Sequence, residues 1–314
     1  MPSRVRAAGD CWVYGCGKIT LPMPSCEDPQ FTPLQISPPA RLPSSEYSRG
    51  GMKTILDFAQ ARREQRPIVM VSVFDALMAR MVAASQADAL LVGDSAAMVV
   101  HGLSSTIGAT LEMMCLHTAA VRRGAPGRVI IADLPFGTFR CGRHIAAEAA
   151  GALIQAGATA VKLEGVRGHE EVVTHLVSGG IPVMGHLGLT PQSVNQLGGY
   201  RVQGRSSDDA AAILADAHRL EDLGAFAVVL ECVPAELAKT ITEELTIPTI
   251  GIGAGPATSG QVLVLTDLLG LDANFHPKFV RRYLDGHAVV LAALNDYASD
   301  VREARFPAGK EILA

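Results

Sequence analysis

Short, continuously apolar runs alternate with helical stretches from residue 68 onward, and this alternation restricts the possible folds more than any other feature of the sequence. The runs are typical of β-strands and lie at residues 68–74, 89–93, 129–134, 160–163, 181–185, 225–230, 247–252 and, least clearly, 262–265. Helical periodicity separates them, for example at residues 111–123, 144–156, 208–223 and 234–244. Strands that are apolar along their whole length indicate a parallel sheet buried on both faces. The pattern therefore predicts an α/β protein.

Eight such βα units without a change of pattern favour a closed (β/α)8 TIM barrel over a doubly wound sheet. A Rossmann-like sheet is the alternative, and it is weakened because no GxGxxG motif follows the first strand. The chain has 314 residues, which is enough for a barrel of about 250 residues. We predict a single barrel domain over residues 52–314, with a helix at residues 57–63 covering the bottom of the barrel.

The first 51 residues differ from the rest of the chain. They are rich in Pro, Ser and Arg, lack a sustained period and contain the run SPPARLPSS at residues 37–45. Such a segment has too little clustered apolar surface to offset the entropy of ordering it. We predict a disordered extension over residues 1–51, or a functional start at Met52.

Composition excludes several functional classes. The net charge is −4, and the absence of a basic footprint argues against a nucleic-acid partner or an anionic membrane surface. No apolar run approaches the roughly 18 residues that a membrane-spanning helix requires. The six cysteines form no CxxC pair, which is expected of an enzyme in a reducing compartment. We expect a cytoplasmic enzyme that acts on a small molecule.

Polar side chains occur at the ends of five consecutive predicted strands. These residues are Asp94, Asp133, Lys162 with Glu164, His186 and Glu231. The active site of a (β/α)8 barrel lies at the carboxyl ends of its strands, so these side chains are expected to share one opening. Each acid taken alone could instead cap the helix that follows its strand. The set as a whole favours a functional site.

Several carboxylates in one apolar mouth repel each other unless a cation lies among them. Asp94, Asp133 and Glu164 come from adjacent strands, which lie about 4.8 Å apart in the pairing direction, so they can converge on one ion. Oxygen ligands suit Mg²⁺, or Mn²⁺ as a substitute, whereas no His/Cys set favours zinc. The sequence therefore predicts a divalent metal site.

The remaining polar residues allow more than one role. Lys162 lies two residues before Glu164, so both side chains point into the barrel. Lys162 could bind a substrate carboxylate, form a Schiff base with a carbonyl or pair with Glu164 or Asp133. Glu231 is the candidate general base. His186 could contact the substrate or Glu231, or be a satisfied histidine outside the chemistry.

Two loops near this opening contain many glycines. Residues 188–205 follow the fifth strand and form a long polar segment of the kind that closes over a site. Residues 251–255 have the sequence GIGAG, which could cradle a phosphate or could reflect close backbone packing.

Seven segments resemble the ketopantoate hydroxymethyltransferase family, in order and at compatible spacing over residues 52–285. They are VGDS (92–95), HTAAVRRG (117–124), ADLPF (132–136), VKLEG (161–165), GHLGLTPQS (185–193), LECVP (230–234) and GIGAG (251–255). The resemblance implies a barrel of the phosphoenolpyruvate/pyruvate type. It further implies transfer of a hydroxymethyl group from 5,10-methylenetetrahydrofolate to 3-methyl-2-oxobutanoate, giving 2-dehydropantoate in pantothenate biosynthesis, through a Mg²⁺-stabilised enolate.

The resemblance also implies roles for individual residues. It makes Asp94, Asp133 and Glu164 the ligands of one Mg²⁺ per subunit and Glu231 the proton acceptor. The 2-oxo acid is expected to contact Asp94, Ser95, Asp133 and Lys162, and His186 is a further candidate for that contact. Members of the family are typically homodecamers.

Some positions depart from the family pattern, and two other functions compete with it. Loop 102–108 lacks an aspartate expected near Ser104, and Thr266 replaces a common histidine. A carbon–carbon lyase of the isocitrate-lyase type would use a similar metal site, but its Lys-Lys-Cys-Gly-His loop is absent from this sequence. A non-catalytic barrel would not need three acids, a lysine and a base at one mouth.

Overall fold

The computed structural model describes residues 51–312, and in that part of the chain eight parallel strands close into a barrel in sequence order. The strands are β1 Ile68–Ser72, β2 Ala89–Val92, β3 Val129–Asp133, β4 Ala160–Glu164, β5 Val183–Gly188, β6 Ala227–Glu231, β7 Thr249–Ile252 and β8 Gly260–Val264. β1 pairs with β8 in parallel and closes the sheet. The predicted (β/α)8 barrel is confirmed, and the Rossmann-like alternative is wrong. The predicted extension lies outside the described residues, apart from Gly51.

Helices follow the strands as predicted, with several short additions. They are α1 Leu56–Arg63, α2 Ala76–Ala84, α3 Ala96–Val99, α4 Leu111–Gly124, α5 Arg143–Gln155, α6 Glu170–Ser178, α7 Val194–Leu197, α8 Ser207–Asp222, α9 Ala235–Glu244, α10 Leu265–Leu268 and α11 Gly286–Arg302. Single 3₁₀ turns lie at Thr106–Gly108, Pro191–Ser193 and Gly309–Glu311. The four helices predicted by periodicity agree with α4, α5, α8 and α9 to within one residue at each end.

β8 begins two residues earlier than its apolar run predicts. Its first residue is Gly260, where an added Cβ would lie 2.4 Å from the carbonyl oxygen of Ile68. The backbones of β1 and β8 thus approach too closely for a side chain, so the strand begins with a residue that no apolar pattern detects.

Alternate residues of each strand divide between two apolar cores. Leu90, Ile130 and Val161 pack outward in the layer between strands and helices. Val129 and Ile131 belong to the cluster that fills the barrel interior. Since side chains alternate along a strand, the next inward position of β3 after Ile131 is Asp133, at the carboxyl end.

Helix α1 covers the amino-terminal end of the barrel, as predicted for residues 57–63. Phe58 is fully buried in the interior cluster, and its ring meets that of Phe226 edge to face at a centroid distance of 5.3 Å. The Asp57 carboxylate accepts hydrogen bonds from the backbone N–H groups of Lys53 and Thr54 and fixes the start of the helix. This end of the barrel is therefore closed, and the opposite end carries the polar residues.

The last long helix packs differently from the others. In α11, Gly286 is the one buried residue, although the helix carries an exposed apolar set of Val289, Val290, Leu291, Leu294, Tyr297 and Val301. The outer side of β1 is also open, since Val69 is 47% exposed, and Leu77 and Met81 of the following helix α2 are exposed too. Across residues 51–312, no helix is both long enough and apolar enough to span a membrane.

Candidate active site

The carboxyl ends of β2 to β6 bring together the polar residues that the sequence singled out. Side chains alternate along a strand, and this alternation places most of these residues inside the barrel. The residues that follow interior positions of their strands at spacings of two are Asp133, Lys162, Glu164, His186 and Glu231. Asp94 comes two residues after the end of β2. All except Glu231 are buried, and its side chain is 18% exposed. The predicted cluster is therefore present at one mouth.

Asp94, Asp133 and Lys162 form one side of this cluster. The backbone N–H of Asp94 donates to Asp133 Oδ2 at 3.0 Å. Lys162 Nζ lies 3.1 Å from Asp133 Oδ1, a charge contact outside hydrogen-bond geometry. Of the pairings left open for Lys162, the structure thus has the contact with Asp133.

Burial and mutual repulsion set the ionisation of this group. Burial, with the nearby charges of Asp133 and Glu164, raises the pKa of Asp94 well above its usual value. Burial also raises the pKa of Asp133, although the charge of Lys162 opposes it. Burial alone would lower the pKa of Lys162, but the surrounding carboxylates outweigh it and the pKa is raised. Lys162 is therefore held as a cation, while the two aspartates bind protons more readily than usual.

His186 links the two sides of the mouth. Its Nε2 lies 3.2 Å from Glu231 Oε2, and its Nδ1 lies 3.5 Å from Glu164 Oε1 and 3.1 Å from Lys162 Nζ. Burial and the charge of Lys162 lower the pKa of His186, but Glu164 and Glu231 outweigh them and raise it to about 9. The protonated ring directs both N–H groups at carboxylates; a ring deprotonated at Nδ1 would accept from Lys162 instead. In both states Nε2 faces Glu231.

Glu164 is ionised more easily than an ordinary glutamate. Burial would raise its pKa, but the close contact with His186, the positive charges of His186 and Lys162, and the backbone N–H of Gln192 together lower the pKa below the usual value. This carboxylate therefore stays negatively charged although its side chain is only 1% exposed.

Gln192 enters the cluster from the loop after β5, and the sequence did not single it out. It lies in the 3₁₀ turn Pro191–Ser193 and is only 2% exposed. Its backbone N–H donates to Glu164 Oε2 at 2.9 Å, and its Nε2 donates to Asp94 Oδ2 at 2.8 Å and to the Leu134 carbonyl at 3.0 Å. Its burial results from the folding of a loop, which leaves no periodicity in the sequence. The one sequence signal was its position in the segment GHLGLTPQS.

Two serines lie beside the aspartates. Ser95 is half-buried next to Asp94, and its Oγ lies 2.9 Å from where a Cβ of Gly93 would be. On the other side of Gly93 the hydroxyl of Ser72, at the end of β1, is buried and has no hydrogen-bond partner among the described residues. Ser72 is a further polar residue of the mouth, hidden in the sequence within the apolar run 68–74.

The loop predicted to close over the site folds back onto the mouth. Leu189 N–H donates to the Glu231 carbonyl at 2.8 Å, and Gln203 N–H donates to the Cys232 carbonyl at 2.9 Å. Tyr200 is 53% exposed, yet burial and the negative charges of Asp94, Glu231 and Glu164 raise the pKa of its hydroxyl. The loop therefore lies against the mouth at both of its ends.

A cavity of about 310 Å³ lies on the far side of this loop. Glu164 and Gly188 line it on the barrel side, Arg140 and Arg167 contribute positive charge, and Ser193 forms part of the wall. Asp94, Asp133 and Gln192 are not among its lining residues, so the loop separates this cavity from the aspartates.

Other residues of the protein occupy the space next to the glycines at residues 251–255. A Cβ added at Gly251 would lie 2.7 Å from the Thr258 hydroxyl oxygen, and one at Gly255 would lie 2.6 Å from the Ala235 Cβ. At Gly253 a Cβ would meet the Phe279 ring at 3.1 Å. Close backbone packing, the second of the two interpretations, explains these glycines.

The carboxylates are not arranged as a ready-made metal cluster. Within residues 51–312 no three His, Cys, Asp or Glu side chains are spaced to hold an ion. Lys162 lies against Asp133 Oδ1, and the Gln192 amide donates to Asp94 Oδ2. The donor chemistry still fits a hard divalent cation, because every candidate ligand atom is a carboxylate oxygen and Asp133 Oδ1 has no hydrogen bond.

Comparisons with known proteins agree with the resemblance read from the sequence. The sequence profile described as "Ketopantoate hydroxymethyltransferase" matches residues 52–309. A 3-methyl-2-oxobutanoate hydroxymethyltransferase of Bdellovibrio bacteriovorus is 54% identical over 260 residues, which cover 83% of this chain and 99% of the relative. One of Legionella pneumophila is 52% identical over 257 residues, covering 82% and 98%.

The fold also has solved counterparts. A 2,3-dimethylmalate lyase, described as a PEP mutase/isocitrate lyase superfamily member, aligns with a TM-score of 0.55 at 17% identity and covers 83% of this chain and 89% of that one. Identity at this level shows a common fold and not a common reaction. The comparison therefore supports the predicted (β/α)8 barrel.

Proposed function

The chain belongs to the ketopantoate hydroxymethyltransferase family, and we propose that it transfers a hydroxymethyl group from 5,10-methylenetetrahydrofolate to 3-methyl-2-oxobutanoate, giving 2-dehydropantoate. The two relatives described above have the name of this transferase, and their match to this chain covers nearly their whole length. The observation that carries the proposal is the buried cluster at the carboxyl ends of β2 to β6. It combines a fixed cation, several carboxylates and a partly exposed glutamate, as a reaction of a small 2-oxo acid requires.

Lys162 is the residue proposed to bind the substrate carboxylate. Its ammonium group is buried and stays charged because carboxylates surround it. A lysine held as a cation is a poor nucleophile, since a Schiff base forms from the neutral amine. Its contact with Asp133 lies outside hydrogen-bond geometry, which leaves N–H donors available to a bound anion. Asp94, Ser95, Asp133 and His186 are proposed to complete the contacts to the 2-oxo acid.

Glu231 is proposed to remove the C3 proton of 3-methyl-2-oxobutanoate. Of the cluster carboxylates it is the one open to the mouth, at 18% side-chain exposure. His186 Nε2 lies 3.2 Å from one carboxylate oxygen of Glu231, a charge contact outside hydrogen-bond geometry, so the carboxylate is available to take up the proton. Water would break the C–N bonds of the methylene bridge and release the one-carbon unit as formaldehyde, leaving tetrahydrofolate. The enolate would then add to the carbon of formaldehyde, and the new alkoxide would take up one proton, which restores the Glu231 carboxylate.

Asp94, Asp133 and Glu164 are proposed to hold one Mg²⁺. Four carboxylates share the mouth with two basic side chains, so the fully ionised cluster has two negative charges in excess. A divalent cation would neutralise that excess. When bound, the metal supplies positive charge that stabilises developing negative charge on the 2-oxo acid. On metal binding, Lys162 would lose its contact with Asp133. The substrate carboxylate would then become the new partner of Lys162.

We further propose a homo-oligomer, which by family resemblance would be a decamer. The support is the apolar surface of α11, which no other part of the described chain covers, and the open outer side of β1 next to α2. Many exposed apolar side chains on one helix are typical of a protein–protein contact surface.

The proposed function is tested by incubating the purified full-length enzyme with 3-methyl-2-oxobutanoate, 5,10-methylenetetrahydrofolate and Mg²⁺ and measuring 2-dehydropantoate by mass spectrometry. We expect Mg²⁺-dependent product formation. Asp133→Ala should lower the rate by about a hundredfold or more, because metal stabilisation is worth several kcal/mol. Asp208→Ala removes an exposed carboxylate on α8 and serves as the control. An Asp133→Ala enzyme that works at the wild-type rate and metal concentration would contradict the ligand assignment.

A further inference from the structure

One oxygen of each proposed metal ligand is fixed by an N–H donor. Asp133 Oδ2 accepts from the backbone of Asp94 at 3.0 Å. The other two donors both belong to Gln192, whose Nε2 donates to Asp94 Oδ2 at 2.8 Å and whose backbone N–H donates to Glu164 Oε2 at 2.9 Å. One loop residue thus orients two carboxylates that come from different strands.

The second oxygen of each carboxylate is left for a different partner. Asp133 Oδ1 is buried without a hydrogen bond and has a charge contact with Lys162 Nζ at 3.1 Å, and Asp94 Oδ1 accepts no hydrogen bond from the described residues. Glu164 Oε1 has only the 3.5 Å contact with His186. Each carboxylate therefore has one oxygen fixed by an N–H donor and one oxygen without a hydrogen bond, which is the division expected where outer hydrogen bonds orient metal ligands.

The surroundings of Gln192 fix the orientation of its amide. Nε2 also donates to the carbonyl of Leu134 at 3.0 Å, so both of its bonds go to acceptors. Turning the amide over would set Oε1 against these two acceptors, which is unfavourable because an amide oxygen donates no hydrogen bond. The oxygen instead lies buried without a partner among the described residues and is available to a donor brought in with the ligands.

From these contacts we propose that Gln192 is a positioning residue that orients Asp94 and Glu164 for cation binding and makes cation affinity depend on the loop that carries it. This inference rests on the metal site of the proposed function. The loop follows β5 and lies against the mouth through Gln192 and through the bond from Leu189 N–H to the Glu231 carbonyl. Withdrawal of the loop would release both oriented carboxylates at once.

The test is calorimetric titration of the purified full-length protein with Mg²⁺ alone at fixed pH. Gln192→Leu keeps the approximate volume of the side chain and removes the amide that orients Asp94, while the backbone N–H that donates to Glu164 remains. We expect the dissociation constant for Mg²⁺ to rise by about 10- to 100-fold, the usual effect of removing an outer partner of a metal ligand. Gln196→Leu is the matched control, because Gln196 is exposed on the same loop and makes no bond to the cluster. Its dissociation constant should stay at the wild-type value.

A merely space-filling role would change the melting temperature and leave the dissociation constant alone. Circular dichroism melts without Mg²⁺ check that each variant is folded, and Gln192→Met replaces Gln192→Leu if the branched side chain does not fit. Wild-type affinity in a folded Gln192 variant would overturn the inference and leave the metal site intact. A wild-type protein that binds no Mg²⁺ would overturn both.

Discussion

Two unusual backbone conformations fix Glu231 at the edge of the mouth. Cys232, the next residue, has φ +48°, which is uncommon for a residue with a side chain. Gly188, at the end of β5, has φ +90°, and a Cβ there would lie 2.3 Å from the Glu231 carbonyl oxygen. Strained or close-packed backbone of this kind persists where the surroundings enforce it. The position of Glu231 therefore depends on a glycine in the neighbouring strand.

We predict that Gly188→Ala destabilises the protein by on the order of 3 kcal/mol and lowers activity, since the methyl group adds a backbone clash to the cost of a positive φ. Gly198→Ala is the control, because Gly198 has φ +68° with no atom near the added Cβ. Conformational strain alone should then cost about 1–2 kcal/mol. Urea denaturation compares the two, and equal shifts of the midpoint would show that the close approach to Glu231 has no energetic effect.

Among the secondary-structure elements, the end of α8 is joined to the start of β7 by one side chain. Glu221 Oε1 accepts hydrogen bonds from the Thr246 hydroxyl and backbone N–H, both at 2.7 Å, and from the Ile247 N–H at 3.0 Å. Partial burial would raise the pKa of Glu221, but these bonds outweigh it and lower the pKa below the usual value of a glutamate. The ionised carboxylate therefore stabilises the folded state.

We predict that Glu221→Gln lowers the free energy of unfolding by about 1 kcal/mol at neutral pH, a modest value because the carboxylate is partly open to water. A depressed folded pKa contributes stability that is present above the unfolded pKa and is lost as the pH falls through the folded pKa. The difference from wild type should thus shrink in acid below about pH 4.5. Denaturation at several pH values tests this prediction, and Glu243→Gln, at an exposed position of α9, is the control. A difference that persists in acid would contradict the carboxylate's role.

The sequence predicted the elements that carry a long pattern of their own. The buried strands and the helices α4, α5, α8 and α9 could be predicted because their periodicity is local. The short helices α3, α7 and α10 could not, since one turn is too short to show a period. Gln192 lies next to α7, and its burial depends on a loop folding over distant strands. Strand parity predicted Lys162 and Glu164 on one face, whereas loop contacts have no such rule.

Within the molecule as a whole, α11 is the long helix that packs least against the rest of its own chain. Its exposed apolar residues would remain in water in a monomer of 33.0 kDa. Sequence composition did not predict this surface, because an amphipathic helix has the same pattern whether it packs on its own barrel or on another copy.

We predict that the wild-type protein elutes as an oligomer and that Leu294→Glu on α11 shifts it to a lower mass, since a charge would be buried in the interface. Light scattering after size-exclusion chromatography measures both. Leu116→Glu, at an exposed leucine of α4, is the control for surface charge alone. A wild-type protein that is monomeric at micromolar concentration would contradict the oligomer proposal.

The most direct test of the whole account is proton exchange at C3 of 3-methyl-2-oxobutanoate in D₂O, followed by proton NMR with and without Mg²⁺. The account predicts Mg²⁺-dependent loss of the C3 proton signal with the wild-type enzyme. Glu231→Gln should abolish this loss while the substrate still binds, and Glu171→Gln, at an exposed position of α6, should not. Wild-type exchange by Glu231→Gln would remove Glu231 from the role of base. Absence of exchange by the wild-type enzyme, even with Mg²⁺ and tetrahydrofolate, would contradict the proposed reaction.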